Sequence, residues 1–115
     1  MVTPSMSPFE VHVRADGEGV SLGLVGDFDM SAVEYFQSSV EEVVKTDGDV
    51  VVVDLAALTF IDSSGLSALI EMRRRLAVEG RELRVANVSA PAARVFELTA
   101  LTDVFVNGGA AANPT

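Results

Sequence analysis

From Phe9 to Arg14 the chain alternates strictly, with Phe9, Val11 and Val13 apolar and Glu10, His12 and Arg14 polar. That period of two predicts a half-buried strand. "ADGEG" follows, and Asp16-Gly17 and Gly19 supply the chemistry of a hairpin turn. "VSLGLVG" returns as a second strand with Val20, Leu22 and Leu24 inward. The period then lengthens. Over 31–46, Val33, Phe36, Val40, Val43 and Val44 recur at helical spacing, and Ser31 with Glu34 matches a capping box. "VVVVDL", 50–55, is apolar on both faces, as a central strand covered on both sides should be.

A second helix is expected over 64–79, with Leu66, Leu69, Ile70 and Leu76 as its apolar stripe and Gly80 as its stop. "RELRVANV" alternates again through Leu83 and Val85, and Pro91 sits where the first turn of a third helix would begin. Asp103 to Val106 closes the pattern as a short last strand. The order β-β-α-β-α-β-α-β predicts a single-domain α/β fold. Its mixed sheet combines an N-terminal hairpin with parallel strands and is packed with helices. Residues 1–8, with two prolines, are expected to be a loose arm, 9–106 the domain, and 107–115 a loose tail.

Composition narrows the functional classes. With no cysteine and His12 as the only histidine, disulfides, thiolate metal sites and multi-histidine sites are excluded. His12 lies on the polar face of its strand. The net charge of −9 argues against gripping a nucleic-acid backbone. Charge is also unevenly placed: residues 1–62 carry twelve acidic and two basic side chains, and 63–115 carry five and six. Such a lopsided surface suits protein partners. No apolar run is long enough to span a bilayer, and the opening "MVTPSMSPFE" lacks the pattern of a secretory signal, so a cytoplasmic protein is expected. The sequon Asn87-Val88-Ser89 is accordingly read as chance.

The densest chemistry is "TFIDSSGLSALIEM", 59–72, where an apolar strand gives way to Asp62, Ser63, Ser64 and Gly65 and then to a helix. Two readings fit. Asp62 and Ser63 can simply cap the helix. Alternatively the turn lies beyond the carboxyl end of a buried strand, where α/β folds gather their sites. There an anion on Ser63 or Ser64 would meet unpaired backbone N–H groups and a positive dipole end. Gly65 would leave room for another protein beside Ser64. Enzyme readings lack their parts. The serine is not set in G-x-S-x-G, no histidine follows to act as base, and no phosphate loop is present. Asp27 and Asp29 in "GDFD" form only a D-x-D pair, too few ligands for a hard cation. Arg73-Arg74-Arg75 reads either as a solvated helix face or as part of a docking face beside the serine turn.

"GDFD", "VVVDLAALTFIDSSGLSALI" and "APAARVFELTALTDVF" together resemble a stand-alone STAS domain of the bacterial anti-anti-sigma factor (anti-sigma factor antagonist) type, from Phe9 to Val106. The resemblance implies a binding switch rather than an enzyme, with no cofactor. Members bind an anti-sigma factor, usually a serine protein kinase, and so free a sigma factor; phosphorylation of a turn serine ends binding and a phosphatase restores it. On this sequence the acceptor is Ser64. Asp62, Ser63 and Gly65 would border the contact, as would Asp27 and Asp29. Two other uses remain open: an accessory subunit of a membrane lipid-transport complex, or a weak nucleotide-binding module.

Overall fold

The structure is a computed structural model that describes residues 9–15 and 19–98. The expected arm, the tail and the strand at 103–106 lie outside those residues. The elements run β1 (Phe9–Ala15), β2 (Val20–Phe28), α1 (Met30–Val44), β3 (Val50–Ile61), α2 (Ser63–Val78), β4 (Glu82–Ala86) and α3 (Ala90–Leu98). One sheet holds the strands in the order β1-β2-β3-β4. β1 is antiparallel to β2, as a hairpin requires, and β2, β3 and β4 are mutually parallel. Two successive right-handed crossovers in one direction put α1 and α2 on the same face. Consistently, α1 packs on β1 and β2, α2 packs on β3 and β4, and the two helices touch; α3 packs against β3.

Leu22, Leu24, Val51, Val53, Leu55, Leu69, Leu76 and Phe36 are fully buried and form the centre of the core. An aromatic cluster closes one end of it. Phe28 stacks on Phe9 at 4.8 Å and tilts against Phe36 at 4.8 Å. Phe9 also meets the edge of Tyr35 at 5.9 Å. Burial fades along β1 from Phe9 through half-buried Val11 to Val13, which was expected inward and is 48% exposed. The expectation for β3 needs a similar adjustment. Val51, Val53 and Leu55 are sealed, whereas Val50, Val52 and Asp54 on the other face are only half-buried.

β3 also runs six residues further than the 50–55 read from the sequence, because its apolar period changes. Buried positions advance by two through 51, 53 and 55, and then by three to 58 and 61. The pairing explains this. Gly23 to Val25 on β2 faces Asp54 to Ala57 on β3, and Gly26 to Asp27 faces Leu58 to Phe60. Each step gives β3 one extra residue, a bulge that rotates the strand while β2 keeps its alternation. A pure period-two template misses such a strand.

Helix α1 starts earlier than expected. Asp29, extended at φ −118° and ψ −171°, is its N-cap, and its carboxylate accepts from the Ser31 N–H at 3.0 Å and the Ser31 hydroxyl at 2.7 Å. Ser31 is therefore inside the first turn, and the Ser31–Glu34 capping box does not define the start. α2 ends as expected before Gly80, which takes φ +75°. Asn87, in the β4–α3 connection, takes φ 53° and donates to Asp54 at 3.1 Å, so the sequon's asparagine is serving a turn.

Arg81 ties the far end of α1 to the sheet. Its side chain is 8% exposed and donates to the carbonyls of Gly48 (2.7 Å) and Val43 (3.4 Å) and to Thr46 Oγ1 (3.4 Å), with Glu79 at 3.8 Å. Removing a buried charged donor from such acceptors costs about 2 kcal/mol. Arg81→Ala should lower the urea-unfolding free energy by that amount with an unchanged m-value; a variant as stable as the parent would show the anchor to be idle.

Candidate functional site

The register that pairs Phe28 with Ile61 brings the ends of β2 and β3 side by side. α1 and α2 both start there, so "GDFD" and "DSSG" meet at one corner of the sheet. Asp62 and Asp29 are matched N-caps; Asp62 is extended at φ −112° and ψ −172°. The Asp62 N–H donates to the Phe28 carbonyl at 3.2 Å, which stitches the turn to β2. Asp27 accepts from the Thr59 hydroxyl at 2.6 Å, across the bulge. Asp27, Asp29, Asp62, Ser63 and Ser64 thus share one end of the molecule, as the sequence suggested.

Two expectations about the turn change. The first concerns the free N–H groups. Asp62 Oδ1 already accepts from the backbone N–H groups of Ser64 (2.9 Å) and Gly65 (3.1 Å). A phosphate on Ser64 would find these donors occupied by a carboxylate, with only part of the dipole left to offset its charge. The second concerns Gly65. It is buried, and a Cβ there would collide with the Phe28 carbonyl oxygen, lie 2.8 Å from Phe28 Cγ and 3.1 Å from Ile61 Cγ1. Its missing side chain makes room for β2, not for an outside partner.

Ser63 is exposed and Ser64 half-buried. The Ser64 hydroxyl makes no hydrogen bond to any described residue, and its backbone N–H is held by Asp62. Ser64 is therefore a half-buried serine on a fixed backbone, with a carboxylate two residues away. Of the two sequence readings, the structure shows the cap, made by Asp62.

Other candidates separate from this corner. Arg73, Arg74 and Arg75 lie nine to eleven residues past Ser64 on α2, about 15 Å along its axis. Arg74 pairs with Glu71 at 3.4 Å and Arg75 with Glu41. The hydrogen bond that Arg75 donates to Glu41, and then the carboxylate's charge, raise the guanidinium above its ordinary pKa. Two of the three arginines are paired with glutamates on the helix surface, and the run is not a flank of the turn. Among the described residues no three His, Cys, Asp or Glu side chains gather as a metal site would need, and no helix is long and apolar enough to cross a membrane.

The fold that builds this corner recurs in known proteins. The STAS domain family matches residues 10–112. The chain belongs to the STAS domain family. A STAS-domain containing protein of Pseudomonas aeruginosa is 30% identical over 91 residues, 79% of this chain and 89% of that protein. An anti-sigma factor antagonist from Mycobacterium paratuberculosis superposes at TM-score 0.75 with 23% identity, covering 91% of this chain and 87% of that one. The anti-sigma factor antagonist SpoIIAA has been solved in both its forms, each 23% identical. The unphosphorylated form gives TM-score 0.67 over 81% of both chains. The phosphorylated Bacillus form gives 0.62 over 81% of this chain and 84% of that one. A sulfate transporter family protein from Wolinella succinogenes shares the STAS fold at TM-score 0.63 and 17% identity, over 73% of this chain and 68% of that one. Fold alone therefore does not choose between antagonist and transport roles, and residue chemistry has to.

Two substitutions separate the turn's structural parts. Gly65→Ala should cost about 1–3 kcal/mol through overpacking against Phe28, and Asp62→Ala about 1 kcal/mol through the lost cap. Denaturant unfolding measures both; an unperturbed Gly65→Ala protein would disprove the close approach to β2.

Proposed function

We propose that this STAS domain is an anti-sigma factor antagonist. It binds an anti-sigma factor of the serine-kinase type through the Asp62–Gly65 turn, and it is released when Ser64 is phosphorylated. The observation that carries the reading is Ser64 itself: a half-buried serine whose hydroxyl has no partner among the described residues, fixed at a helix start beside the Asp62 carboxylate. The superposition on solved antagonists supports it, as does the fact that one of them exists in unphosphorylated and phosphorylated forms.

The physics of release is local. Transfer of the γ-phosphoryl group of ATP to Ser64 Oγ makes an O–P bond, yields ADP, and frees the hydroxyl proton. The product carries about −1.5 to −2 charge at neutral pH. Because Asp62 already holds the nearest N–H donors, the phosphate stays on the solvent side of the turn, next to one carboxylate and near Asp27 and Asp29. A partner shaped to a neutral hydroxyl then meets bulk, desolvation and like charge. Such juxtaposition costs several kcal/mol at an interface, and ~4 kcal/mol is roughly a thousandfold in affinity. Within the fold the same charge costs on the order of 1 kcal/mol, since the site is open to water. The switch works without refolding. A phosphatase resets it by hydrolysing the phosphoserine.

The GDFD/DSSG corner offers no phosphate-cradling loop, and its carboxylates oppose a nucleotide. The transport-subunit reading rests on shared fold alone.

Incubation with a cognate kinase and ATP should label Ser64, and Ser64→Ala should abolish labelling while keeping kinase binding. Ser64→Glu should give a circular dichroism spectrum that superposes on the parent yet bind the kinase at least about a hundredfold more weakly. Label on Ser63, or a collapsed Ser64→Glu spectrum, would refute the local-charge switch. Copurification with a transporter ATPase in place of a soluble kinase would favour the transport reading.

A further inference from the structure

The second bulge of β3 has an effect beyond register. It turns Phe60 outward, so that a large aromatic residue is 48% exposed while Leu58 and Ile61 on either side stay buried. Phe60 and Ile61 form one wall of an open groove of about 400 Å3, and Ala90, Pro91, Arg94 and Val95 of α3 form the other. The walls are apolar apart from one cation. Arg74, Arg75, Arg81 and Arg84 each pair with a glutamate, whereas Arg94 makes no ion pair with any described residue. Ile61 is followed directly by Asp62 and Ser63, so the strand that forms one wall of the groove leads into the turn.

An aromatic wall beside a guanidinium is the composition enriched at interface centres. We infer that this groove docks a protein partner through a bulky apolar side chain with a carboxylate next to it, the apolar group lying against Phe60 and the carboxylate pairing with Arg94. Charge selects this occupant. A basic segment would be repelled by Arg94, and a nucleic acid would be opposed by the chain's net charge of −9. The assignment deepens the reading of the turn as a partner contact, and rests on it only for its link to Ser64. A phosphate on Ser64 would add negative charge to a surface whose groove partner also carries a carboxylate.

The test uses the whole 15N-labelled chain, unphosphorylated and without kinase. It is titrated with an acetylated, amidated tetrapeptide Ala-Phe-Asp-Ala, and in parallel with versions carrying Lys for Asp or Ala for Phe. The Phe-Asp peptide should shift the amides of Phe60, Ile61, Arg94 and Val95 saturably. Each altered peptide should bind about tenfold more weakly, the size of one lost anchor contact. Arg94→Glu should reverse the order in favour of the Lys peptide, with the remaining spectrum showing an intact fold. Shifts absent from the groove, or an unchanged order in Arg94→Glu, would overturn the inference. Groove shifts that grow with protein concentration and need no peptide would make a second copy the occupant, and would overturn it too. No kinase is involved, so loss of the groove leaves the Ser64 switch standing, and failure of Ser64 labelling leaves the groove result intact.

Discussion

The seating of the α2 start on Phe28 is the constraint from which the rest of the site follows. The Phe28 carbonyl takes the Asp62 N–H, and its backbone and ring leave no space for a side chain at position 65. Phe28 is itself held by Phe9 and Phe36, so the turn is bolted to the aromatic end of the core. A glycine is needed because two backbones must nearly touch, not because the turn must bend: Gly65 is not among the glycines with positive φ. With that contact made, Asp62 can reach back over two N–H groups, and the serine between them is presented in one orientation.

A rigid serine turn suits a switch that works by charge. Under the proposed switch the fold would not have to change when the hydroxyl gained a phosphate; only the outside surface would. Both helix starts at this corner are capped by aspartate, so the region is negative before any modification, and the added charge acts against a partner more than against the domain. Asp62 couples the two demands. It satisfies the helix as a cap, and by occupying the donors it prevents the fold from absorbing the phosphate.

The bulges of β3 divide labour along one strand. Its first half alternates and builds the core with β2 and β4. Its second half advances by three, which keeps Leu58 and Ile61 inside while setting Thr59 toward Asp27 and Phe60 toward α3. The strand thereby contributes both to an acidic corner and to an apolar groove whose arginine has no ion pair among the described residues.

The chain's pattern alone determined the order of the first seven elements, the hairpin, the inward residues of β2 and most of the core face of α1 and α2. Period and turn chemistry are local, and in these segments local and tertiary preferences agree. It also brought forward Asp62, Ser63 and Ser64, since polar residues at a strand-to-helix junction stand out against an apolar frame. Tertiary structure decided what depends on a neighbour in space. Asp29, not Ser31, caps α1 because β2 stops where Phe28 pairs with Ile61, and several cap-forming residues in a row cannot reveal that stop. Gly65 is a packing residue because β2 lies underneath it. Phe60 is outside because β3 is bulged relative to a strand more than thirty residues earlier, a register that no window along the chain contains.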